Sequence, residues 1–600
     1  MKDWGAAFSE FEQHVWHGQN SAALSTLLKI LSSLSGSGGQ LPKARDLQLS
    51  GAFSDLWREE AATRLSAAIA ELLSRPDCQF DARTFQRLVV HHRWLHVIFN
   101  ASSFGSSDFV LTRLAIQPSN DFIAKASMHG LFKMCLLYGA ESSMPMDFSA
   151  LFRRSPWLAC SLAIGILSNR LLATPAAHVK REVLLRWITE ALDKLDSPTG
   201  LPVEIFVDLW MHCSYGLERD KHDLKRPLNR LIRRQMKESG VPELEIVNGA
   251  SRPTVFVMLE WFHKRHSIMR THSISMRALR ENYRLVGFGP KGMVDAEGKA
   301  VFDEFHEYGQ YSTDLGFIRP ILKQVAEQRP VAVYYPSVGM ALHSLYLVNL
   351  RLAPTQIIAL GHPATTHSDK IDYVLVEEDY IGDASLFSEK VVPVPKNALP
   401  YFRPSVRLPD ADPKLRGSVR IAVPVAVMKL NPRFLEACRT IQNAARNEVT
   451  FHFMLGGAPD LVHSHAKKAI GLQVPGAVVH RTSEYPRYMA NIAACDMFAN
   501  PFPFGNTNGI VDTVFCGLPG ICLTGDEVHS HIDEGMFRRM GFPDWTIAST
   551  VEEYIGAALR LIDESELRRE WSDRIRRERP DEILYKGNPS AFSDVFKTLV

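Results

Sequence analysis

Six hundred residues are more than one hydrophobic core organises, and 46% hydrophobic content supplies material for roughly two to four domains. Sixty-eight basic against 66 acidic residues leave a formal charge of +2, which argues against nucleic acid or an anionic membrane held through bulk charge. The eight cysteines are scattered without a CxxC pair, as reduced core thiols are. The N-terminus M-K-D-W-G lacks a signal-peptide layout and no run of about 18 apolar residues occurs, so a cytoplasmic protein without membrane insertion is expected.

From about residue 4 to residue 240 the apolar spacing is helical: Leu24, Leu27, Leu28 and Leu31, then Phe85, Leu88, Val89 and His92, then Leu184, Leu185, Ile188 and Leu192. Breakers at 35–39, 102–107, 142–145 and 197–202 cut the region into helical hairpins, and no 34-residue repeat recurs. Residues 1–245 are therefore expected to form an all-α N-terminal domain. His92 and His96, four apart on an apolar helix, read as core-edge residues rather than metal ligands. The basic stretch 225–237, with Leu224, Leu228, Leu231 and Ile232 at helical spacing, reads as a solvated helix face or as a dock for an acidic partner.

Near Pro253 the pattern changes. Short apolar runs at 254–259, 283–287, 331–335, 356–360 and 373–376 alternate with helix-length segments, and a second series at 419–427, 449–455, 477–480 and 497–500 follows a Pro-rich connection over 393–413. Continuous apolar strands alternating with helices imply parallel sheets covered on both faces. The expectation is α/β, two Rossmann-like domains at 246–405 and 406–600 facing a cleft, with ligands beyond the carboxyl ends of the strands. Asp410 and Asp412, among prolines, read as solvated linker rather than a metal pair.

The motifs lie at such strand ends. F-P-F-G-N-T-N-G-I-V-D-T (502–513) follows the run at 496–500 and opens a helix, whose unpaired N–H groups and positive dipole end suit phosphate; Asp512, one turn after Asn508, suits sugar hydroxyls. The same residues also suit a loop that merely caps a helix. V-A-V-M-K-L-N-P (425–432) puts Lys429 just after a strand, where a point charge stabilises a departing phosphate or is simply a surface lysine. G-H-P-A-T-T-H-S (361–368) is a strand-end turn able to offer backbone N–H groups and His362 to a ligand, or a structural turn. W-F-H-K-R-H-S-I-M-R-T-H-S (261–273) carries His263, His266 and His272, as a general base or as caps and core-edge hydrogen bonders. His529, His531 and Asp533 read as helix-capping residues.

In order and separation these four motifs resemble the bacterial soluble N-glycosyltransferases that modify high-molecular-weight adhesins, which belong with protein O-GlcNAc transferase in glycosyltransferase family 41. The likeness covers roughly residues 250–545, and the helical region resembles the repeat-free N-terminal domain of the adhesin enzymes. It implies a GT-B architecture with UDP-hexose bound mainly to the second domain. It also implies Lys429 on the diphosphate, Asn508 and Gly509 at the phosphate-binding helix start, and Asp512 on the ribose. His272 is implied near the transferred sugar and acceptor, and Gly361 and His362 at the facing loop. Two positions depart from the family pattern: Ala426 replaces a common hydroxyl residue, and Gly456-Gly457 a polar one. The implied function is inverting transfer of a hexose, glucose or galactose, from UDP to asparagine in Asn-x-Ser/Thr sequons of adhesin-like polypeptides, with no metal or other cofactor. An O-linked or small-acceptor transferase and a non-catalytic nucleotide-sugar-binding platform are the alternatives.

Overall fold

The computed structural model describes residues 4–41, 52–246, 253–309, 314–408 and 418–600; Asp410 and Asp412 fall outside them. The first 240 residues are helical where described. Short polar residues start the helices: Asp81, Ser119, Ser127, Asp147 and Thr174 each accept a backbone N–H of the first turn. Pro156–Leu167 is apolar all round and lies buried at the centre of the helical domain, as such a helix must. His92 and His96 are buried beside it, with Nε2 of each 3.1 Å from a carbonyl, of Tyr138 and Leu136.

Two parallel sheets follow. The first contains β1 (Thr254–Met258), β2 (Arg284–Pro290), β3 (Glu304–Tyr308), β4 (Ala332–Tyr335), β5 (Thr355–Ala359), β6 (Tyr373–Glu377) and β7 (Lys390–Val394), in the order β3-β2-β1-β4-β5-β6-β7. The second contains β8 (Ser418–Ala426), β9 (Glu448–Gly456), β10 (Val478–His480), β11 (Met497–Ala499), β12 (Gly520–Leu523) and β13 (Ile547–Ala548), in the order β10-β9-β8-β11-β12-β13. Both orders reverse direction once, between β1 and β4 and between β8 and β11, and such a reversal opens a crevice at the carboxyl ends.

The sequence pattern misses β3, β7 and β13. β3 and β7 are half-exposed edges without a continuous apolar run, and β7 includes Pro393, expected in the linker, where a missing N–H costs no interior ladder bond. The last helix, Pro589–Lys597, falls beyond the expected 406 boundary in sequence but packs on the first sheet, burying Phe592 and Phe596 against Tyr334 and Tyr283.

The helical domain grips both sheet units. Helix Lys225–Glu238, expected to be a solvated face, buries Lys225, whose Nζ donates to Thr365 O at 2.6 Å; Asn229 donates to Thr366 O and His367 O. Helix Ala52–Ser74 meets helix Asp460–Gln473 of the second unit through Arg58 to Asp460 at 2.7 Å and Lys468 to Glu59 at 2.8 Å.

Candidate active site

The switch point of the second sheet carries the strongest site. β8 ends at Ala426 and turns through Val427–Lys429 into helix Pro432–Ala444, capped by Asn431, which accepts from Phe434 N at 3.0 Å. The Asn431 amide also donates to Phe502 O at 2.7 Å, tying this turn to the loop after β11. That loop opens helix Thr507–Phe515, and its N-cap residue Asn506 makes no capping bond. Asn506 Nδ2 donates instead to Pro424 O at 2.6 Å, and its Oδ1 accepts from Lys429 Nζ at 3.2 Å. The helix's first N–H groups therefore lack a side-chain cap, and a cation sits beside them, an arrangement that suits an anion.

Lys429 Nζ also donates to Gly505 O at 2.5 Å and lies 5.0 Å from the centre of the Phe504 ring. Phe504 stacks on His529 at 4.4 Å and on His362 at 6.3 Å, so three separate chain segments meet at one ring. Gly505 is required: a Cβ there would come within 1.7 Å of Asp533 Oδ2. Asp533, in helix Val528–Arg539, is buried and accepts from Asn500 Nδ2 at 2.5 Å. Gly509 is equally constrained, since its Cβ would lie 2.2 Å from Asn506 Nδ2.

Burial drives the proton affinities here. It lowers Lys429 to about 8, against the opposing pull of the Asp533 carboxylate, and it raises Asp533 despite Lys429. His272 is pushed down to about 4 by burial and is neutral near pH 7. Its Nδ1 lies 2.6 Å from Thr271 Oγ1, while its Nε2 is buried without a hydrogen-bond partner. Asn508 Oδ1, in the first turn of helix Thr507–Phe515, is buried and unpartnered too. Unpartnered buried polar atoms of this kind are what a ligand's polar groups satisfy.

Asp512 reaches across the cleft. Its Oδ1 accepts from Arg270 Nη2 at 2.9 Å and from Tyr485 OH at 2.6 Å. Arg270 belongs to helix Ser267–Leu279 of the first unit, the helix that carries His272. His266 is the N-cap of that helix, and His263 precedes it in the loop.

The loop 361–368 divides. His362 is buried at the site, its Nε2 2.8 Å from Ser214 Oγ of the helical domain. Gly361 gives its N–H to Pro336 O at 2.9 Å, so it does not present that group to a ligand, and Pro336 O would lie 2.5 Å from a Cβ added there. Thr365 and Thr366 are taken by Glu389. Ala426 and Gly456 are register partners at the carboxyl ends of β8 and β9, and this floor beside Lys429 carries little side-chain bulk.

The first sheet's switch point is filled from within. Glu260, after β1, is buried and accepts from Gly339 N, Met340 N and Ala341 N at 2.8 to 2.9 Å and from the hydroxyls of Ser337 and Ser344. Its carboxylate occupies the amide nest that β4 opens, where the second unit leaves the corresponding place to Lys429 and an uncapped helix.

Phe504, Asn506, His529, Asp533 and Arg270 are site residues that sequence reading missed. The spacing of His529 and Asp533, one helical turn apart after a strand, was a usable signal; the pairing of Arg270 with Asp512, 242 positions away, was not.

Two parallel-sheet units facing each other, with an uncapped helix end beside a lysine at the second unit's switch point, give the GT-B architecture of glycosyltransferases. Residues 7–144 match the family profile described as HMW1C N-terminal and residues 149–236 that described as HMW1 domain 2. Two proteins of Actinobacillus pleuropneumoniae, from serotype 5b (strain L20) and serotype 7 (strain AP76), are each 40% identical to this chain over 607 residues, spanning 98% of it and 97% of their own length. Both are named UDP-glucose:protein N-beta-glucosyltransferase. The chain belongs to the HMW1C family. Among solved structures a mutant O-GlcNAc transferase of Thermobaculum terrenum shares the fold, with a TM-score of 0.59 at 13% identity over 100% of this chain and 97% of that one. No helix among the described residues is long and apolar enough to cross a membrane.

Proposed function

We propose that this enzyme transfers glucose from UDP-glucose to the side-chain amide nitrogen of asparagine in Asn-x-Ser/Thr sequons of polypeptides, with inversion at the anomeric carbon and without a metal ion. One observation carries the reading: Lys429 and the uncapped start of helix Thr507–Phe515 converge on Gly505 and Asn506, at the crevice where this fold holds a nucleotide. The names of the two Actinobacillus relatives supply the donor, the protein acceptor and the β linkage. An α-linked nucleotide sugar that yields a β-linked product has been inverted.

An amide nitrogen is a weak nucleophile, so the larger service falls on the leaving group. As the bond from the anomeric carbon to the diphosphate oxygen breaks, its electron pair departs with UDP, and the new charge falls between Lys429 and the N–H groups of helix Thr507–Phe515. A lysine in this position supplies the positive charge that a divalent ion supplies elsewhere. Asp512 holds the ribose, and Asn508 and Gly509 line the diphosphate. The neutral His272 places sugar and acceptor by hydrogen bonding; with its proton affinity so depressed it is a poor base, so the amide nitrogen's electron pair forms the bond to the anomeric carbon first and the nitrogen then gives its proton to the departing diphosphate or to water. Gly361 shapes the facing loop by close packing, and His362 borders the site through Phe504.

The test is incubation with UDP-glucose, a sequon peptide and EDTA, followed by intact-mass analysis and NMR of the linkage. One added hexose, β-linked, is expected. An unmodified peptide, an α linkage or loss of transfer in EDTA overturns the corresponding part.

A further inference from the structure

Asp512 is 3% exposed, and both donors that reach it fall on one oxygen. Arg270 Nη2 comes from the opposite unit and Tyr485 OH from the helix Tyr485–Ala493, with the Arg270 guanidinium 5.6 Å over the Tyr485 ring. A carboxylate offers about four lone-pair sites, two per oxygen, so Arg270 and Tyr485 together saturate Oδ1. Among the described residues none donates to Oδ2. Arg270 is itself held: Phe402 N donates to its carbonyl at 2.9 Å, and its side chain is only 17% exposed. Burial pushes its proton affinity down, but the Asp512 charge and hydrogen bond, together with the neighbouring Tyr485 and Tyr488, outweigh this and keep it cationic.

We propose that Arg270 is a positioning residue for ribose recognition: with Tyr485 it fixes the Asp512 carboxylate through Oδ1 and leaves Oδ2 as the acceptor for the nucleoside's ribose hydroxyls. The proposal rests on the reading of Asp512 as the ribose ligand. It adds that the donor site of the second unit is completed from the first, so nucleoside selectivity depends on how the two units stand. A nearby ion pair, Arg265 to Glu484 at 3.3 Å, spans the same cleft but is 77% and 74% exposed, and screening leaves it little influence.

The measurement is the dissociation constant, by calorimetry, of UDP and of 2′-deoxy- and 3′-deoxy-UDP for the wild type and for Asp512→Ala, Arg270→Ala, Arg270→Lys and Tyr485→Phe, each checked for an unchanged melting temperature. Wild type is expected to prefer UDP over at least one deoxy analogue by roughly tenfold or more, because a site that accepts from a hydroxyl is left unpaired without it. Asp512→Ala abolishes that preference. Arg270→Ala weakens UDP by roughly tenfold, leaves the deoxy analogue nearly unchanged and so collapses the ratio, while Arg270→Lys restores part of it. Should Asp512→Ala abolish the preference and Arg270→Ala leave it intact, Arg270 does not position the carboxylate and the inference is overturned. Should Asp512→Ala leave the preference intact, the ribose reading itself fails and the inference falls with it. If Arg270→Ala does not fold, Arg270→Lys and Tyr485→Phe carry the test, each expected to shrink the ratio and each overturning the proposal by leaving it at the wild-type value.

Discussion

Replacing Lys429 with methionine keeps most of the side-chain volume and removes its charge and its three N–H donors. Two donors are committed, at 2.5 Å to Gly505 O and 3.2 Å to Asn506 Oδ1, which leaves the third, and the full charge, for the departing diphosphate. A single preorganised donor aimed at developing charge contributes about 3 kcal/mol, so kcat should fall by about two orders of magnitude. The loss should appear in kcat as well as in donor affinity, because charge on the bridging oxygen grows as the bond breaks. Initial rates of peptide glucosylation at saturating UDP-glucose and peptide measure it, with UDP binding by calorimetry and a thermal melt alongside. A correctly folded Lys429→Met enzyme that retains more than about a tenth of wild-type kcat would refute the leaving-group role. A loss confined to KM would show that the lysine binds ground state and transition state equally.

UDP affinity should depend on pH through the same residue. Burial lowers Lys429 to about 8 in the free enzyme, and a bound diphosphate favours its charged form, so above the titration of UDP's own terminal phosphate at about pH 6 affinity is flat up to about pH 8 and falls by up to about tenfold per unit beyond it, with proton uptake on binding. Asp533, His362 and His529 are the titratable groups facing it; calorimetry in buffers of different ionisation enthalpy checks the uptake, and a flat profile to about pH 9.5 contradicts it. Gly505→Ala places a Cβ within 1.7 Å of Asp533 Oδ2, must displace the loop that seats Lys429, and should weaken UDP by about tenfold or more, read by calorimetry. His272→Ala should lower kcat by about tenfold or more while UDP affinity stays within about twofold, and the wild-type rate profile should show no limb near pH 6.5 from this residue, since burial holds it at about 4.

The interior strands were legible because burial on both faces demands continuous apolar runs, and Thr254–Met258, buried throughout, is the plainest of them. The edges were not: β3 reads E-F-H-E-Y and is open along most of its length, with only Tyr308 buried, so nothing in it separates strand from loop. Among the site residues, Lys429 and the 505–509 turn could be found because strand, turn and helix are local in sequence. Asp533 reads in sequence as capping chemistry, although it lies under the loop and holds Asn500. Lys225 shows the limit of helix-face reasoning. One basic residue in a run of them is fully buried against the first unit, its ammonium held by Thr365 O and lying 5.1 Å from the Trp210 ring, and the sequence does not mark it out from its neighbours.

The two sheet units share a strand order, so topology alone does not say which should hold a nucleotide. Each switch point offers backbone N–H groups after the strand that follows the reversal. In the first unit a carboxylate already lies there: Glu260 takes three of those N–H groups and two hydroxyls, and an incoming phosphate would meet a negative charge in a filled nest. In the second unit the corresponding turn after β8 brings Lys429, and the helix beyond β11 starts without a side-chain cap. On the proposed reading, Glu260 in one nest and Lys429 at the equivalent turn of the other direct the donor to the second unit and leave the first as wall. Helix Lys225–Glu238 and the segment through Ser214 and Lys221 then seal that wall from behind: Lys221 bonds Glu527 of the second unit while Ser214 meets His362 of the first. Both units are anchored to the same helical domain, and Arg270 meets Asp512 at 2.9 Å across the cleft between them.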